Sequence, residues 1–349
     1  MSGTKKAATA PKRKFSLNDL TDSNMLLLIT VVVFLLMYIF AVVVLGGGFR
    51  APQTFLNILG AQAALIIGSC GMSVVMIIGG IDISIGGVIA LVCMSCAVYL
   101  DYSNGNVFVA ILIALAIGAA YGLVQGFLVA YLDIQPFIVS LAGMFFARGM
   151  TTIVHTEPFN VQNEQFVALK GTRIPIPGLG TTNRLGNYID AYIEIGVVVA
   201  LLVVIVLFCV LRWTKLGRNF YAVGGNKQSA LMLGINVKRT KFIAHMICSV
   251  LAGLAGFVYF LHVGSGSPSH ASGLEMNAIA SSIIGGTLLT GGVGNIAGTF
   301  LGVLSLSTIQ QIVSSLGLDQ AWWTGITVAV MLCLFLVIQS VVQSRKAKS

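Results

Sequence analysis

Two glycine-rich runs carry ionisable side chains inside otherwise apolar sequence. The first reads Gly79-Gly80-Ile81-Asp82-Ile83-Ser84-Ile85-Gly86-Gly87, and the second runs from Gly264 through Ser267, His270 and Gly273 to Glu275. A carboxylate in a bilayer interior costs of the order of 2.5–3.5 kcal/mol even on the lenient insertion scale, so Asp82 must face protein, water or a backbone donor. Two roles satisfy that demand. Asp82 or Ser84 can take free N–H groups at the start of a helix, or Asp82 can line a path for a polar solute, and both can coexist at a cavity edge. Amides and hydroxyls recur in the apolar runs at Asn57, Gln62, Gln125, Asn277, Ser281, Ser282, Gln310 and Gln311, where each can hydrogen-bond a neutral solute or a neighbouring helix. The candidates for a solute path or gate are therefore Asp82, Ser84, Asn57, Gln125, Glu275 and Asn277.

Other chemistries find little footing. Cys93 and Cys96 form a C-x-x-C, but with no further Cys or His nearby the pair reads as packing, and no metal site is expected. No H-E-x-x-H occurs, and no serine has Gly two before and Gly or Ala two after, so an intramembrane enzyme lacks support and no catalytic residue is assigned. The chain holds no G-x-x-x-x-G-K-[ST] phosphate loop and no Gly-Lys dipeptide, so it carries no ATP site of its own.

The elements that position these residues are membrane helices. Of 349 residues 57% are hydrophobic and 9% charged, with a mean hydropathy of +0.95; soluble domains carry about 25% charged residues. A span takes roughly 20 apolar residues, and backbone inside lipid must satisfy its own hydrogen bonds, which favours helices. An all-α integral membrane protein of about ten transmembrane helices follows, with spans near 25–46, 54–78, 86–100, 106–131, 135–154, 191–211, 241–263, 276–292, 295–315 and 322–341. The first run, from Met25 to Leu45, is too long for a signal-peptide core of ~7–15 residues and reads as an uncleaved helix.

Fifteen of the 20 Lys and Arg fall in three clusters, at 5–14, 212–241 and 345–348, and the positive-inside rule sets all three in the cytoplasm. Six spans before the middle cluster and four after it close the parity. The expected organisation is a basic cytoplasmic tail at 1–24, one transmembrane domain at 25–341, and a second basic cytoplasmic tail at 342–349. The net charge of +9 is then topological and implies no nucleic acid. The segment 155–190, with Pro158, Pro175 and Pro177, lies outside and reads as a docking surface for an external partner or as an ordered connector.

In the fourth span Ala114, Gly118, Gly122, Gly126 and Ala130 recur every four residues, a groove for a closely packed helix that suggests a central place in the bundle. Gly294, Gly298 and Gly302 repeat the spacing in the ninth. The two glycine-rich interruptions separate spans that cross in opposite senses, as an inverted repeat of spans 2–5 and 7–10 would give. Arg148, near the outer end of span five, can snorkel or pair with Glu157 or Asp101.

The middle basic cluster encloses GRNFYAVGGNKQSALMLGINVKRTK, starting at Gly217. Asn226 is a plausible N-cap and Gly234 a stop, leaving a two-turn helix over 227–233 that presents Ala230 and Leu233 on one side. Such a helix is too short to stand alone and makes sense packed on a partner.

GGIDISIGG, PFIVSLAGMFFARGM, NFYAVGGNKQSALMLGINV and EMNAIASSIIGGTLLTGGVGNIAGTFLG, in this order from about Gln53 to Gln339, resemble the permease subunits of bacterial ATP-binding cassette importers for simple sugars, the ribose and galactose group. Trp322, Trp323, Thr324 and the GGN-K-Q-S-A loop are most similar to one of the paired permeases of galactofuranose-type systems. The resemblance implies a ten-helix permease with inverted repeats in the bacterial inner membrane, paired with a second permease, identical or paralogous. It implies an extracytoplasmic sugar-binding protein as feeder and a cytoplasmic ATPase carrying the ATP and Mg. Tyr221, Gly224, Gly225, Asn226, Ala230, Leu233 and Gly234 would match the family's ATPase-coupling loop, 212–240 here. The family segment ELDAIA reads Glu275-Met276-Asn277-Ala278-Ile279-Ala280 in this chain, so an acidic position is neutral. The competing reading is a stand-alone secondary transporter or channel for a small polar solute; beyond Asp82 its ion coupling would rest on Asp133, His245 and His262.

Overall fold

The computed structural model describes residues 22–46, 49–182, 188–318 and 320–346; most of the expected N-terminal tail, 1–21, and the final residues 347–349 lie outside them. Along the chain run α1 (Asp22–Val44), α2 (Pro52–Ile77), α3 (Ile85–Tyr102), α4 (Val107–Ala130) and α5 (Pro136–Val154). A polar segment follows with β1 (Phe159–Asn160), α6 (Glu164–Gly171) and a hairpin of β2 (Arg173–Thr182) and β3 (Tyr188–Glu194). Next come α7 (Ile195–Trp213), α8 (Lys215–Gly225), α9 (Lys227–Met232), α10 (Val237–Val263), β4 (Ser265–Gly266), α11 (Leu274–Ile284), α12 (Ile296–Ser315) and α13 (Ala321–Lys346). Nine of the described helices are long and apolar enough to cross a bilayer, so the all-helical membrane class stands.

Local sequence chemistry starts and stops these helices. Pro52 and Pro136 open α2 and α5 at positions whose N–H would be unused. The side chains of Asn106, Asn236 and Asn295 accept from Phe108 N, Arg239 N and Ala297 N at the starts of α4, α10 and α12. Gly264, at φ +79°, ends α10 in the left-handed conformation that a side chain disfavours.

One expected span is corrected. The run 276–292 is not a continuous helix: α11 has 11 residues, about 16 Å of rise, half a hydrocarbon core. Gly285 closes it, Gly286 turns at φ +88°, and Leu288 N donates to Val293 O across a tight loop containing Gly291 and Gly292. Hydropathy ran through this loop because Leu288, Leu289 and Val293 are apolar. The sixth span also begins later than 191, at Ile195, because 188–194 pairs as β3.

The packing repeats itself. α4 lies on α10 and α12 on α2; α3 touches α4 and α5, while α11 touches α12 and α13; α3 packs on α10 and α11 on α2. Each contact between helices of the two groups α2–α5 and α10–α13 given above thus has its counterpart, the pattern of a structural repeat. α2 and α3 are the most enclosed long helices, and the main core gathers α2, α3, α7 and α10. α4 is not central. Its groove seats α10 so closely that a β-carbon on Gly118 would come 2.6 Å from Ser249 O, but Phe108, Leu112, Leu123, Val124 and Phe127 are exposed on its other side.

Candidate functional site

The interrupted helices place Asp82 in the interior. Asp82 and Ser84 are fully enclosed, and Asp82 Oδ1 accepts from Ser84 N at 3.0 Å and Ser84 Oγ at 2.6 Å. Gln125 Nε2, from α4, donates to Ser84 Oγ at 2.8 Å. This turn ties the first interruption to α4 and satisfies a donor ahead of α3, while Ser84 itself makes no side-chain cap. His245 and Cys248 on α10 are the electrostatic neighbours of Asp82, with the Cys248 thiol close enough to hydrogen-bond its carboxylate, and among the described residues Gln125 Oε1 and both ring nitrogens of His245 have no hydrogen-bond partner. Asp82 and Ser84 therefore face protein in this conformation and not an open cavity.

The second interruption is held from its own side. Arg148 Nη1 and Nη2 donate to His270 O at 2.5 Å and Ala271 O at 2.9 Å, so Arg148 pairs with neither Glu157 nor Asp101. Ala271 sits at φ +53°, a strained value for a residue with a side chain, and the guanidinium fixes its carbonyl. β1 and β4 pair Phe159 with Gly266, joining the polar segment to the start of this interruption. Glu275 lies in the first turn of α11, where the helix dipole favours its charge, and its carboxylate packs over Gly86, where no β-carbon would fit. Asn277, two residues on, is half-buried and turned toward the opposite side of α11. Cys93 Sγ lies 3.4 Å from Ser265 O while Cys96 Sγ reaches Ala110 O, so the C-x-x-C thiols are free and serve different contacts.

A seam of hydroxyls joins α2, α11 and α12. Ser73 Oγ meets Ser282 Oγ at 3.0 Å and Thr299 Oγ1 at 2.6 Å, all buried. Near the ends of the helices remote from the basic cluster, α2, α12 and α13 enclose a cleft of about 710 Å³. Asn57, Gln62, Gln310, Gln311, Ser307 and Thr324 line it, and among the described residues no charged side chain does. Of the sequence candidates for a path, Asn57 reaches this cleft, and Gln62, Gln310 and Gln311 join it there. Their proximity was invisible in sequence because α2 and α12 lie far apart along the chain.

At the basic end, α8 and α9 form a helical elbow. Thr214 caps α8, accepting from Gly217 N, and Leu216, Phe220 and Val223 turn toward the core. The sequence missed α8; its signal was the threonine cap followed by apolar residues spaced four and three apart. Asn226 caps α9 by accepting from Ser229 N at 2.8 Å, and Gly234 leaves it at φ +77°. Ala230 does not face outward: it is 1% exposed, packed with Val223 and Val237. The exposed apolar residues are Leu231, Met232 and Leu233, the last two 83% and 77% exposed. Tyr221 is half-buried, its phenol pushed upward by burial, and its Oη donates to Gly294 O at 2.9 Å. Asp133, at the turn between α4 and α5, lies 3.5 Å from both Lys241 and Lys227; Lys241 first and Lys227 second hold its carboxyl below the usual carboxylate range.

Comparisons place this arrangement among known proteins. Residues 54–336 match the family described as "Branched-chain amino acid transport system / permease component". The chain is 35% identical over 292 residues to the inner membrane ABC transporter permease protein YjfF of Escherichia coli, covering 84% of this chain and 85% of that one. It is 36% identical to the fructose import permease protein FruG of Bifidobacterium longum, covering 81% of each. It is 33% identical to the ribose import permease protein RbsC of Escherichia coli, covering 85% and 88%. No solved structure matches.

Proposed function

The chain belongs to the branched-chain amino acid transport system / permease component family, and from that premise we propose that it is the transmembrane subunit of an ATP-binding cassette importer for a monosaccharide, seated in a bacterial inner membrane. The cleft between α2, α12 and α13 carries the cargo assignment. Its amides and hydroxyls donate to and accept from sugar hydroxyls, whereas a zwitterionic amino acid brings two charges that need partners, and among the described residues no charged side chain lines the cleft. The relatives named for fructose and ribose support the same cargo class.

The energy enters through a partner. The exposed apolar triplet Leu231-Met232-Leu233, flanked in sequence by the exposed Lys227, Lys238 and Arg239, is a surface of the kind that marks a protein interface. A cytoplasmic ATPase, holding ATP and Mg, docks there, with both termini and the 212–240 loop on its side of the membrane. A second permease, identical or paralogous, completes the path, and an extracytoplasmic binding protein delivers sugar to the opposite end, near the cleft and the β2–β3 hairpin. Isolation of the complex in detergent with mass determination tests this: a permease pair with ATPase subunits, whose hydrolysis rises with sugar-loaded binding protein, is the expected result. A permease that isolates without any ATPase and transports as such overturns it in favour of a stand-alone carrier.

A further inference from the structure

Inside the basic end, α8 packs on the bundle through Leu216 and Phe220, but its last turn, at Gly224, meets the bundle backbone to backbone. Gly292 N donates to Ile77 O at 2.8 Å, and a β-carbon on Gly224 would overlap that same carbonyl oxygen and lie 2.7 Å from Gly292 N. A β-carbon on Gly291 would come 2.9 Å from Gly79 N and 3.0 Å from Gly224 O; one on Gly292 would come 2.8 Å from Gly225 Cα. Three chain segments thus converge with no side chain between them: the last turn of α8, the end of α2 entering the Asp82 interruption, and the loop between α11 and α12. The Tyr221 hydroxyl adds a fourth tie, to Gly294 O.

We propose that this glycine junction is the transmission point of the importer, carrying displacement of α8 into both halves of the inverted repeat at once, with Gly224 and Tyr221 as positioning residues. The inference rests on the importer reading above. Side chains have rotamers that absorb a small shift, whereas backbone packed on backbone passes it on. Upstream, one residue, Asn226, separates α8 from α9, and its N–H donates to Ala222 O while its side chain caps α9. A load on Leu231, Met232 and Leu233 therefore reaches the end of α8 through a short, hydrogen-bonded elbow. Downstream, Ile77 leads through Gly79 and Gly80 to the buried Asp82–Ser84–Gln125 turn of the first half. Gly291 and Gly292 lead back to α11 with Glu275, and Gly294 leads forward to α12, in the second half. α8 joins the halves in sequence and touches both in space, so one movement is delivered to both.

The test uses the full complex of permease, ATPase and binding protein in proteoliposomes, reading sugar taken up per ATP hydrolysed. Gly224→Ala is expected to lower that ratio about tenfold with the ATPase still bound, and Tyr221→Phe to lower it by about twofold to fivefold. Gly325→Ala, where a β-carbon would meet nothing within 4 Å, is expected to match the unaltered chain. An unchanged ratio in Gly224→Ala overturns the junction, while a complex of the unaltered chain that fails to couple uptake to ATP overturns the importer reading itself. Should Gly224→Ala not fold, spin labels at Lys215→Cys and Leu289→Cys decide, with the two incompletely buried cysteines, Cys209 and Cys333, replaced. Their separation should hold within about 2 Å between nucleotide-free and ATP-bound states while each moves against a label at Trp322→Cys. A Lys215 to Leu289 change as large as the Lys215 to Trp322 change overturns the proposal.

Discussion

Replacing Met232 and Leu233 together by alanine strips the proposed ATPase dock without touching the elbow that presents it. Both side chains stand clear of the chain, 83% and 77% exposed, so little folding energy depends on them. Burying a Leu or Met side chain fully is worth about 1.5–3 kcal/mol, about four fifths of that surface is available for burial, and alanine keeps one carbon. The pair should therefore contribute about 1.5–3.5 kcal/mol to docking, a loss of roughly tenfold to three-hundredfold in ATPase affinity. Titrating purified ATPase against detergent-solubilised permease reads this directly, with thermal unfolding of the variant as the check that the fold persists. Unchanged affinity with an intact fold would refute the dock. Ala230 makes the contrast: enclosed between Val223 and Val237, it should answer Ala230→Asp with loss of local structure, because the charge is buried without a partner.

Three further outcomes follow from named contacts. Arg148→Ala leaves His270 O and Ala271 O without their charged donor and should lower the stability of the detergent-solubilised protein by about 1.5–3 kcal/mol, seen as a lower Tm; an unshifted Tm would show those bonds to be idle. Leucine at Gln62 and Gln310 removes amide partners from the cleft and should raise the sugar concentration for half-maximal uptake about tenfold, and equal uptake kinetics would remove the cleft from the path. The Asp133 carboxyl is lowered from its ordinary 3.8, so its pairing with Lys241 and Lys227 is present above that range and lost only as pH falls through the lowered value. Uptake should therefore show the same pH profile in Asp133→Asn as in the parent from about pH 5 to about pH 8, and a profile that diverges between them would contradict the assignment.

Long apolar stretches made most of the fold legible, since a helix of over twenty apolar residues has few alternatives in a bilayer. What escaped was set by backbone conformation or by partners distant in sequence. The loop after Ile284 carries no charge and keeps Leu288, Leu289 and Val293, so the sequence reads on through it, while left-handed turns at Gly286, Gly291 and Gly292 break the helix. α8 looked like polar connector because Lys215, Arg218 and Asn219 outweigh its Leu216, Phe220 and Val223 in any average. The orientation of α9 depended on the same omission: without α8 beneath it, nothing showed that Ala230 points inward. Asp82 was recognisable from charge cost alone and Ser84 from its place at a helix start, but their closure by Gln125 required the fold to bring α4 alongside. The glycine spacing of α4 correctly announced close packing, and only the exposed Phe108, Leu123 and Phe127 show that one face packs and the other does not.

The central claim is that this chain moves sugar only when an attached ATPase turns over. Proteoliposomes holding the permease with its ATPase, with sugar-loaded binding protein outside and ATP within, should accumulate labelled monosaccharide against its gradient and stop when ATP is replaced by a non-hydrolysable analogue. Accumulation that continues under the analogue, or that proceeds from permease alone, would contradict the account.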